Sequence, residues 1–408
     1  MTLRDLLRKN FQMLFGQQWP ALLGGIFIGF LNVFLFVFYQ PWTTLDGILN
    51  WGNWALDNLG VINAEALSPL LRSGSVINFG LLFGAMMSAL LASQFGVRVG
   101  PVSELAKGAV GGLLLGTGAV IARGCNIGGF FSGASAFSLA GLTMGAGLAL
   151  GAVIGVIYLM WEADRAILRR QKPNDTIMPA PDKGKGNPPP PNPGPANSPL
   201  CRPRNLQVYA GALVFLALLA WAAAYGGFGF ADRGVILLFG VILGVVMQRS
   251  RVCFAQAFRE PFLSGRAEHT RAMLLALLIS VIGFAIVKVT ILEKADEFVR
   301  PTFWWGALLG GVIFGVGMVL AGGCGGGTIW RAGEGHVKLW VALLGYTLSA
   351  SLVNEWLINT GLIDQLGEAV FLPNIIGWEW AVIALVAIIV LWFLWAQWNE
   401  ITRRFAAL

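Results

Sequence analysis

The sequence predicts an all-α, polytopic membrane protein with about ten spanning helices plus broken or re-entrant segments. The 408 residues are 56% hydrophobic and only 12% charged, with a mean hydropathy of +0.69, whereas soluble domains are about a quarter charged. The apolar residues also gather in long runs, each close to the roughly 20 residues that a spanning helix needs. The runs cover residues 20–39, 76–94, 106–122, 136–160, 206–225, 234–248, 271–292, 303–322, 339–353 and 377–396.

The charged residues are distributed unevenly about these runs. We place Arg4, Arg8 and Lys9 in the cytoplasm and alternate sides through ten spans. The cytoplasmic segments then carry 22 Lys and Arg and 10 Asp and Glu, whereas the outer segments carry 4 and 11. An excess of basic residues is typical of cytoplasmic loops. We therefore expect both termini in the cytoplasm, and the net charge of +7 does not indicate nucleic-acid binding.

Residues 171–204 divide the chain into two parts. Proline, glycine and polar residues crowd this stretch without an apolar period, which predicts a disordered, partly polyproline linker on the cytoplasmic side. It separates an N-terminal membrane half, residues 1–170, from a C-terminal membrane half, residues 205–408. Cys201 lies in the linker, and we expect it to be a free thiol without a role.

The cysteines and histidines predict neither a disulfide framework nor a metal centre. Cys125, Cys253 and Cys324 lie in or beside apolar runs, where bridges between them cannot be assumed. His269 and His336 lie far apart, and two histidines are too few for haem or a His-rich metal site. We therefore expect no cofactor.

Two of the cysteines lie in matching glycine-rich frames. Residues 111–129 and 310–328 align at an offset of 199, and nine of the nineteen positions are identical, including Gly124-Cys125 and Gly323-Cys324. The first frame lies on a span that runs from inside to outside, and the second lies on a span that runs the other way. The frames therefore predict an inverted-topology repeat, with which many transporters build a site between two halves.

The stretches after the framed cysteines predict helix breaks. Residues 126–129 (NIGG) and 325–327 (GGG) are poor helix interiors, since each glycine costs about 1 kcal/mol relative to alanine. Backbone freed at membrane depth is tolerated where it is buried in protein or lines a watery cavity. We therefore expect each cysteine to lie at a break that lines a path. The spaced glycines of both frames and of residues 147–155 are expected to let helices pack closely.

Two further positions are candidates for contact with an anion. Cys253 ends a span among Arg249, Arg251 and Arg259, which mark the cytoplasmic side and also place positive potential near a thiol. Arg123 lies near membrane depth, where an arginine is expensive. It either faces a cavity and attracts an anion or snorkels to the outer surface, and the sequence leaves both possibilities open.

A route lined by three thiols suits a small anion with a terminal sulfur atom. Neutral thiols are weak hydrogen-bond donors and soft, polarizable groups. Weak binding at successive points allows release as well as uptake, whereas a hard oxyanion such as sulfate lacks the soft sulfur end. The predicted path residues are Cys125, Cys253 and Cys324, supported by Arg123, Gly124 and Gly323.

These motifs resemble the YeeE/YedE family of bacterial inner-membrane sulfur transporters. The resemblance rests on the Gly-Cys frames at 116–125 and 315–324, the run Cys253-Phe-x-x-Ala-Phe-Arg259 and the run Arg331-Ala-Gly-Glu-Gly-His336. It covers nearly the whole chain except the linker and an outer loop at residues 40–75, and it is closer to the YedE-type branch, associated with selenium metabolism, than to the thiosulfate-importing YeeE branch. It implies an hourglass-shaped helical protein of the inner membrane, with cysteines at a constriction and a cytosolic TusA-like sulfur carrier as partner.

We therefore predict uptake of a small sulfur anion, thiosulfate, by facilitated passage and without enzymatic activity. One alternative is import of a selenium species, which shares the charge and shape of its sulfur analogue. Another is a membrane sulfurtransferase that holds a cysteine persulfide, which needs a thiol of lowered pKa beside a cation, and Arg251 with Cys253 is the candidate pair. A relay for copper(I) or mercury is disfavoured because the cysteines are not paired in sequence.

Overall fold

The computed structural model describes residue 5 and residues 10–170, 204–290 and 298–406. Within these ranges, ten helical segments are long and apolar enough to cross a membrane, which confirms the predicted fold class and number of spans. Residues 171–203 of the predicted linker, including Cys201, lie outside the described residues. Its last residue, Arg204, begins a helix. The division into two halves about that linker stays a prediction.

The helices follow one another along the chain with short connections. The N-terminal half contains α1 (Ala21–Phe38), α2 (Leu45–Asn58), α3 (Ser73–Leu91), α4 (Val102–Ile121), α5 (Asn126–Phe131, a π-helix), α6 (Ser132–Ser135) and α7 (Leu139–Arg170). The C-terminal half contains α8 (Arg204–Gly227), α9 (Ala231–Ser250), α10 (Phe254–Leu263), α11 (Glu268–Thr290), α12 (Trp305–Ala321), α13 (Gly325–Gly333), α14 (Val337–Asn359), α15 (Leu372–Ile376) and α16 (Trp378–Thr402).

Burial separates central helices from peripheral ones. Helix α3 is rich in glycine, serine and alanine, and 78% of its apolar window is buried. Helix α16 carries many leucines, isoleucines and tryptophans, and only 22% of its window is buried. Helix α8, which is rich in alanine and leucine, has 17% of its window buried. Small residues let backbones approach inside a membrane protein, while large apolar side chains suit lipid. The centre of the molecule is built from α3, α9 and α12, whose spans are 78%, 67% and 67% buried, together with α4, which packs on α12.

The helices pack in a reciprocal pattern. Helix α1 packs on α11, and α9 packs on α3; likewise α4 packs on α14, and α12 packs on α7. We match α1, α3, α4 and α7 in order with α9, α11, α12 and α14. The contact of α1 with α11 is then equivalent to that of α9 with α3, and the contact of α4 with α14 is equivalent to that of α12 with α7. Helices α4 and α12, which carry the two frames, also pack on each other. This pattern agrees with the predicted inverted repeat.

The spaced glycines lie where two spanning helices cross. A Cβ atom added at Gly311 of α12 would lie 3.2 Å from Cα of Gly147 of α7, and one added at Gly315 would lie 2.9 Å from Cα of Gly151. Only glycine pairs allow the two backbones to come this close. The expected scaffolding role of these glycines is therefore consistent with the structure.

Residues 40–75 are more ordered than the outer loop expected from the sequence. They contain α2, which packs on α3 and α14, and the preceding Trp42 and Thr44 are buried. Helix α2 follows the first span of the N-terminal repeat, just as the short helix α10 follows α9. This segment therefore belongs to the repeat and reaches the interior.

Candidate functional site

The two frames break their helices at equivalent positions. Helix α4 ends at Ile121 and α12 ends at Ala321. The chain then turns through Arg123 and Gly322, which are 199 residues apart and both have left-handed backbones, with φ of 49° and 80°. The sequence placed the breaks after the cysteines, and this was wrong, because they come before them. The glycine-rich stretches open the next helices, where first-turn N–H groups lack intrahelical partners in any case.

Each framed cysteine caps the helix that follows it. Cys125 precedes α5, and its Sγ accepts a hydrogen bond from the Gly128 N–H at 3.3 Å. Cys324 precedes α13, and its Sγ accepts from the Gly327 N–H at 3.2 Å. Helix N-termini carry partial positive charge. The two breaks therefore bring two thiols and two electropositive helix ends into the interior.

The glycine before each cysteine makes room for this turn. A Cβ atom at Gly124 would lie 2.5 Å from Cα of Gly129, and one at Gly323 would lie 3.2 Å from the backbone nitrogen of Thr328. A side chain at either position would push away the first turn of the next helix. Gly124 and Gly323 thus support the cysteines through the backbone, in equivalent ways.

The structure brings the three predicted path cysteines into one buried cluster. Cys253 immediately precedes α10, and its Sγ lies 3.9 Å from Sγ of Cys324. The two frames meet directly, because the Gly325 N–H donates to Oδ1 of Asn126 at 3.0 Å. A Cβ atom at Gly325 would lie 3.2 Å from Cβ of Cys125. All three thiols are fully buried, with 0% exposure.

Thr44 is a fourth member of this cluster that sequence reasoning missed. Its hydroxyl Oγ1 lies 3.2 Å from Sγ of Cys125, and the residue is 0% exposed. Thr44 immediately precedes α2 as Cys253 immediately precedes α10. Each repeat therefore pairs its framed cysteine with a polar residue at the start of a short helix. The only signal in the sequence was a threonine at the start of an amphipathic segment.

A part-buried cation lies beside the Cys125 half of the cluster. Arg300, just before α12, is part-buried and donates from Nε to the carbonyl oxygen of Gly128 at 3.3 Å. Burial and the charge of Arg123 lower the pKa of Arg300, while Asp46 acts in the opposite direction; the guanidinium nevertheless stays charged. Arg123, the arginine singled out in the sequence, is exposed. The sequence missed Arg300 because it lies in a polar connection without a motif.

A network of charged and amide groups lies beside the Cys253 and Cys324 half. Glu334 is 0% exposed and accepts hydrogen bonds from Arg251 at 2.8 Å and Gln248 at 2.9 Å. The His336 ring lies 2.8 Å from Nη1 of Arg98 and 3.7 Å from Glu334. Burial and the surrounding arginines lower the pKa of His336 to about 4. At neutral pH the network therefore holds an uncharged histidine among arginines.

The cluster is closed toward both faces in this conformation, since its thiols have no exposed surface. An apolar cavity of about 450 Å³ lies elsewhere, between α7, α11 and α16. Among the residues that the structure describes, no three His, Cys, Asp or Glu side chains lie together so as to hold a metal ion. A solute could cross the cluster only if side chains or helix ends on both sides of it moved.

A helical membrane bundle whose two repeats meet at broken helices around a buried polar centre has the architecture of a membrane transporter. The family model described as "Sulphur transport" matches residues 5–154 and 249–407. The chain belongs to this sulphur transport family, which confirms the resemblance read from the motifs. The match includes residues 40–75, so the expectation that they fall outside the resemblance was wrong.

Curated relatives carry transporter names. The probable transporter YedE of Escherichia coli (strain K12) is 29% identical over 353 residues, which cover 82% of this chain and 80% of the relative. The probable transporter YedE of Salmonella typhimurium is 29% identical over 377 residues, 83% and 86% of the two chains. The thiosulfate transporter TsuA of Escherichia coli (strain K12) is 39% identical over 121 residues, 29% of this chain and 33% of the relative. The family is thus one of transporters rather than enzymes.

Proposed function

We propose that this protein imports a small sulfur-containing anion, thiosulfate, across the bacterial inner membrane, with both termini in the cytoplasm. The observation that carries the proposal is the meeting of Cys125, Cys324 and Cys253 in one buried cluster between the repeats. In the orientation given by the basic residues, Arg300 lies on the outer side of this cluster and Arg251 on the inner side. The path runs from one to the other.

Electrostatics supports an anion as the substrate. Arg300 lies at the outer break, and the N-termini of α5 and α13 point positive partial charge at the cluster. Arg331 lies on the inner side, where it donates to the carbonyl oxygen of Gly322 at 2.9 Å. The anion meets positive potential at each stage, and the thiols at the centre add only weak contacts. Such a profile permits release.

The pairing within each repeat favours a solute with a soft sulfur end. Cys324 with Cys253 offers two thiols, and Cys125 with Thr44 offers a thiol and a hydroxyl. Both pairs make weak, reversible contacts with a terminal sulfur atom. The name of the TsuA relatives supports thiosulfate, whereas the YedE relatives, which match a longer stretch, are named only as probable transporters. A selenium analogue therefore remains the competing substrate, and a TusA-like carrier remains the expected cytosolic acceptor.

The candidate pair of Arg251 and Cys253 gives little support to a persulfide-forming sulfurtransferase. That chemistry needs a cation to stabilise a thiolate. Arg251, the candidate for this role, instead donates to Glu334 at 2.8 Å and to Gln94 at 3.0 Å. Its charge is therefore engaged by a carboxylate. Passage of the intact anion accounts for the geometry without covalent chemistry.

Uptake of radiolabelled thiosulfate into bacterial cells that lack other sulfur importers tests the proposal. Cells that express the wild-type chain should accumulate label. Cys125→Ser or Cys324→Ser should reduce uptake by about tenfold or more, since serine is a smaller and harder group, while the amount of protein in the membrane stays unchanged. Cys253→Ser should have an intermediate effect.

Cys201→Ser is the matched control and should transport like wild type. Import of the analogue with selenium in place of the terminal sulfur, without import of thiosulfate, would replace thiosulfate by the selenium species. Absence of both activities in a correctly inserted protein would overturn the proposal.

A further inference from the structure

The side chain of Asn126 crosses the boundary between the two repeats. Its Oδ1 accepts the hydrogen bond from the Gly325 N–H at 3.0 Å. Because a backbone N–H can only donate, this contact fixes which end of the amide faces Gly325. The Nδ2 group therefore points the other way, and it finds no acceptor among the residues that the structure describes. Asn126 is 0% exposed.

An unpartnered amide donor in this position calls for an explanation. A buried polar group without a hydrogen bond costs free energy, and most buried groups in native proteins have partners. The donor lies beside Cys125 and at the contact with the residue after Cys324. A group that merely joined the repeats would need only Oδ1. The two N–H groups of Nδ2 are therefore available to a ligand in the thiol cluster.

The repeat explains why only one asparagine is present. Asn126 and Gly325 occupy equivalent positions, 199 residues apart, and they contact each other. A Cβ atom at Gly325 would lie 3.4 Å from Oδ1 of Asn126 and 3.2 Å from Cβ of Cys125. A second asparagine there would collide with the first half of the site. One repeat thus supplies the donor, and the other supplies the space for it.

We propose that Nδ2 of Asn126 is a substrate-binding group that donates to an oxygen of the anion while the thiols contact its sulfur end. The inference rests on the proposed function and deepens it. The thiols select for the soft end, and the amide recognises the oxyanion end, so the site suits an anion that has both. A neutral amide binds an oxyanion less tightly than a lysine or arginine would, which suits a site that must also release its ligand.

Substitution of Asn126 separates substrate binding from packing. In Asn126→Asp the shape is retained, and a carboxylate oxygen still accepts from Gly325, but an acceptor replaces the Nδ2 donor. In Asn126→Ser the side chain stays neutral but is too short to span the contact. The control is Asn58→Asp, because Asn58 is exposed at the end of α2.

The probe is radiolabelled thiosulfate, measured as equilibrium binding to the purified full-length protein and as the KM of uptake. Loss of a hydrogen bond to a charged ligand should weaken binding by about 10- to 100-fold in both Asn126 variants, whereas Asn58→Asp should bind like wild type. The melting temperature without substrate is measured in parallel. A positioning role alone would lower that temperature and leave the KM unchanged in the folded fraction.

A second measurement uses the wild-type protein alone, in case the variants do not fold. In protein with isotope-labelled asparagine, the side-chain amide resonance of Asn126 should shift when thiosulfate is added and not when chloride is added. Two results would show that Nδ2 holds only a buried water. One is that both variants bind thiosulfate as tightly as the wild-type protein does. The other is that the wild-type protein binds thiosulfate but its Asn126 resonance does not shift. If the wild-type protein does not bind thiosulfate at all, the proposed function fails first, and this inference falls with it.

Discussion

Gly327→Ala adds one methyl group at the thiol cluster and removes no polar group. A Cβ atom at Gly327 would lie 2.9 Å from Sγ of Cys253 and 3.1 Å from Sγ of Cys324. Carbon atoms in van der Waals contact are about 3.5–4.0 Å apart, and sulfur is larger than carbon. The methyl group therefore displaces at least one thiol by about 0.6 Å or more. The same change disturbs the hydrogen bond from Gly327 to Cys324.

The size of the effect follows from this overlap. An extra methyl group in a well-packed interior costs about 1–3 kcal/mol. If the thiols must return to their original positions to hold the substrate, the substrate-bound protein is destabilised by this amount. Uptake then falls by about 5- to 150-fold. The substitution also places alanine in the first turn of α13, where it favours helix by up to about 1 kcal/mol. Thermal stability should therefore change much less than transport.

The assay is initial-rate uptake of thiosulfate, with the melting temperature of the purified protein measured in parallel. Gly226→Ala is the matched control, because a Cβ atom at Gly226 meets nothing within 4 Å; it should transport like wild type. Wild-type KM and maximal rate in Gly327→Ala would show that the positions of Cys253 and Cys324 do not matter for transport. That result would refute the reasoning.

Three further predictions concern groups around the cluster. Thr44→Val keeps the side-chain shape but removes the hydroxyl next to Cys125, so thiosulfate uptake should fall by about 2- to 10-fold, the value of one neutral hydrogen bond. Glu334→Gln leaves Arg251 without its carboxylate partner and should destabilise the protein by about 1–3 kcal/mol in thermal or denaturant unfolding, less than for a fully buried pair because Arg251 is 29% exposed. His336 has its pKa lowered from 6.5 to about 4 in the folded protein, so the unfolded chain binds the proton more readily and stability falls as pH drops from about 6.5 to about 4; His336→Gln should flatten this part of the pH dependence.

Each of these predictions has a contradicting result. Unchanged uptake in Thr44→Val would remove Thr44 from the substrate path. Equal stability of Glu334→Gln and wild type would show that the ion pair contributes nothing. For His336, an identical slope of stability against pH in the Gln variant would assign the pH dependence to other groups, whereas a slope of opposite sign would contradict the lowered pKa.

The membrane spans and the repeat could be predicted because each leaves a local pattern in the sequence. Apolar runs of spanning length require no knowledge of tertiary contacts. The Gly-Cys frames around Cys125 and Cys324 are visible because the close turn and the close packing of the next helix both need glycine at fixed positions. The position of the break was wrong because glycine was read as a helix interruption. In the structure it opens the new helix instead, and the turn falls on Arg123 and Gly322.

The rest of the site depends on contacts between distant residues. Neither Thr44 nor Arg300 lies in a sequence motif. Thr44 joins the cluster because α1 and α2 fold onto the break between α4 and α5. Arg300 joins it because the chain before α12 returns to the same break. The contact between Asn126 and Gly325 arises because the two repeats meet. An alignment of the frames shows that the two residues are equivalent, but it does not show that they touch. The sequence left open whether Arg123 faces a cavity or snorkels. Its side chain is exposed, and Arg300 is the arginine that donates to the Gly128 carbonyl oxygen beside the cluster.

The most direct test of thiol-lined passage uses purified wild-type protein in liposomes and thiosulfate that carries one label on the terminal sulfur and another on the oxygens. Passage of the intact anion predicts that both labels accumulate inside in equal proportion, that Cys125→Ser abolishes most of the accumulation, and that mass spectrometry finds the cysteines unmodified. Retention of the sulfur label on Cys253 or Cys324, with the oxygen label left in solution, would contradict this account.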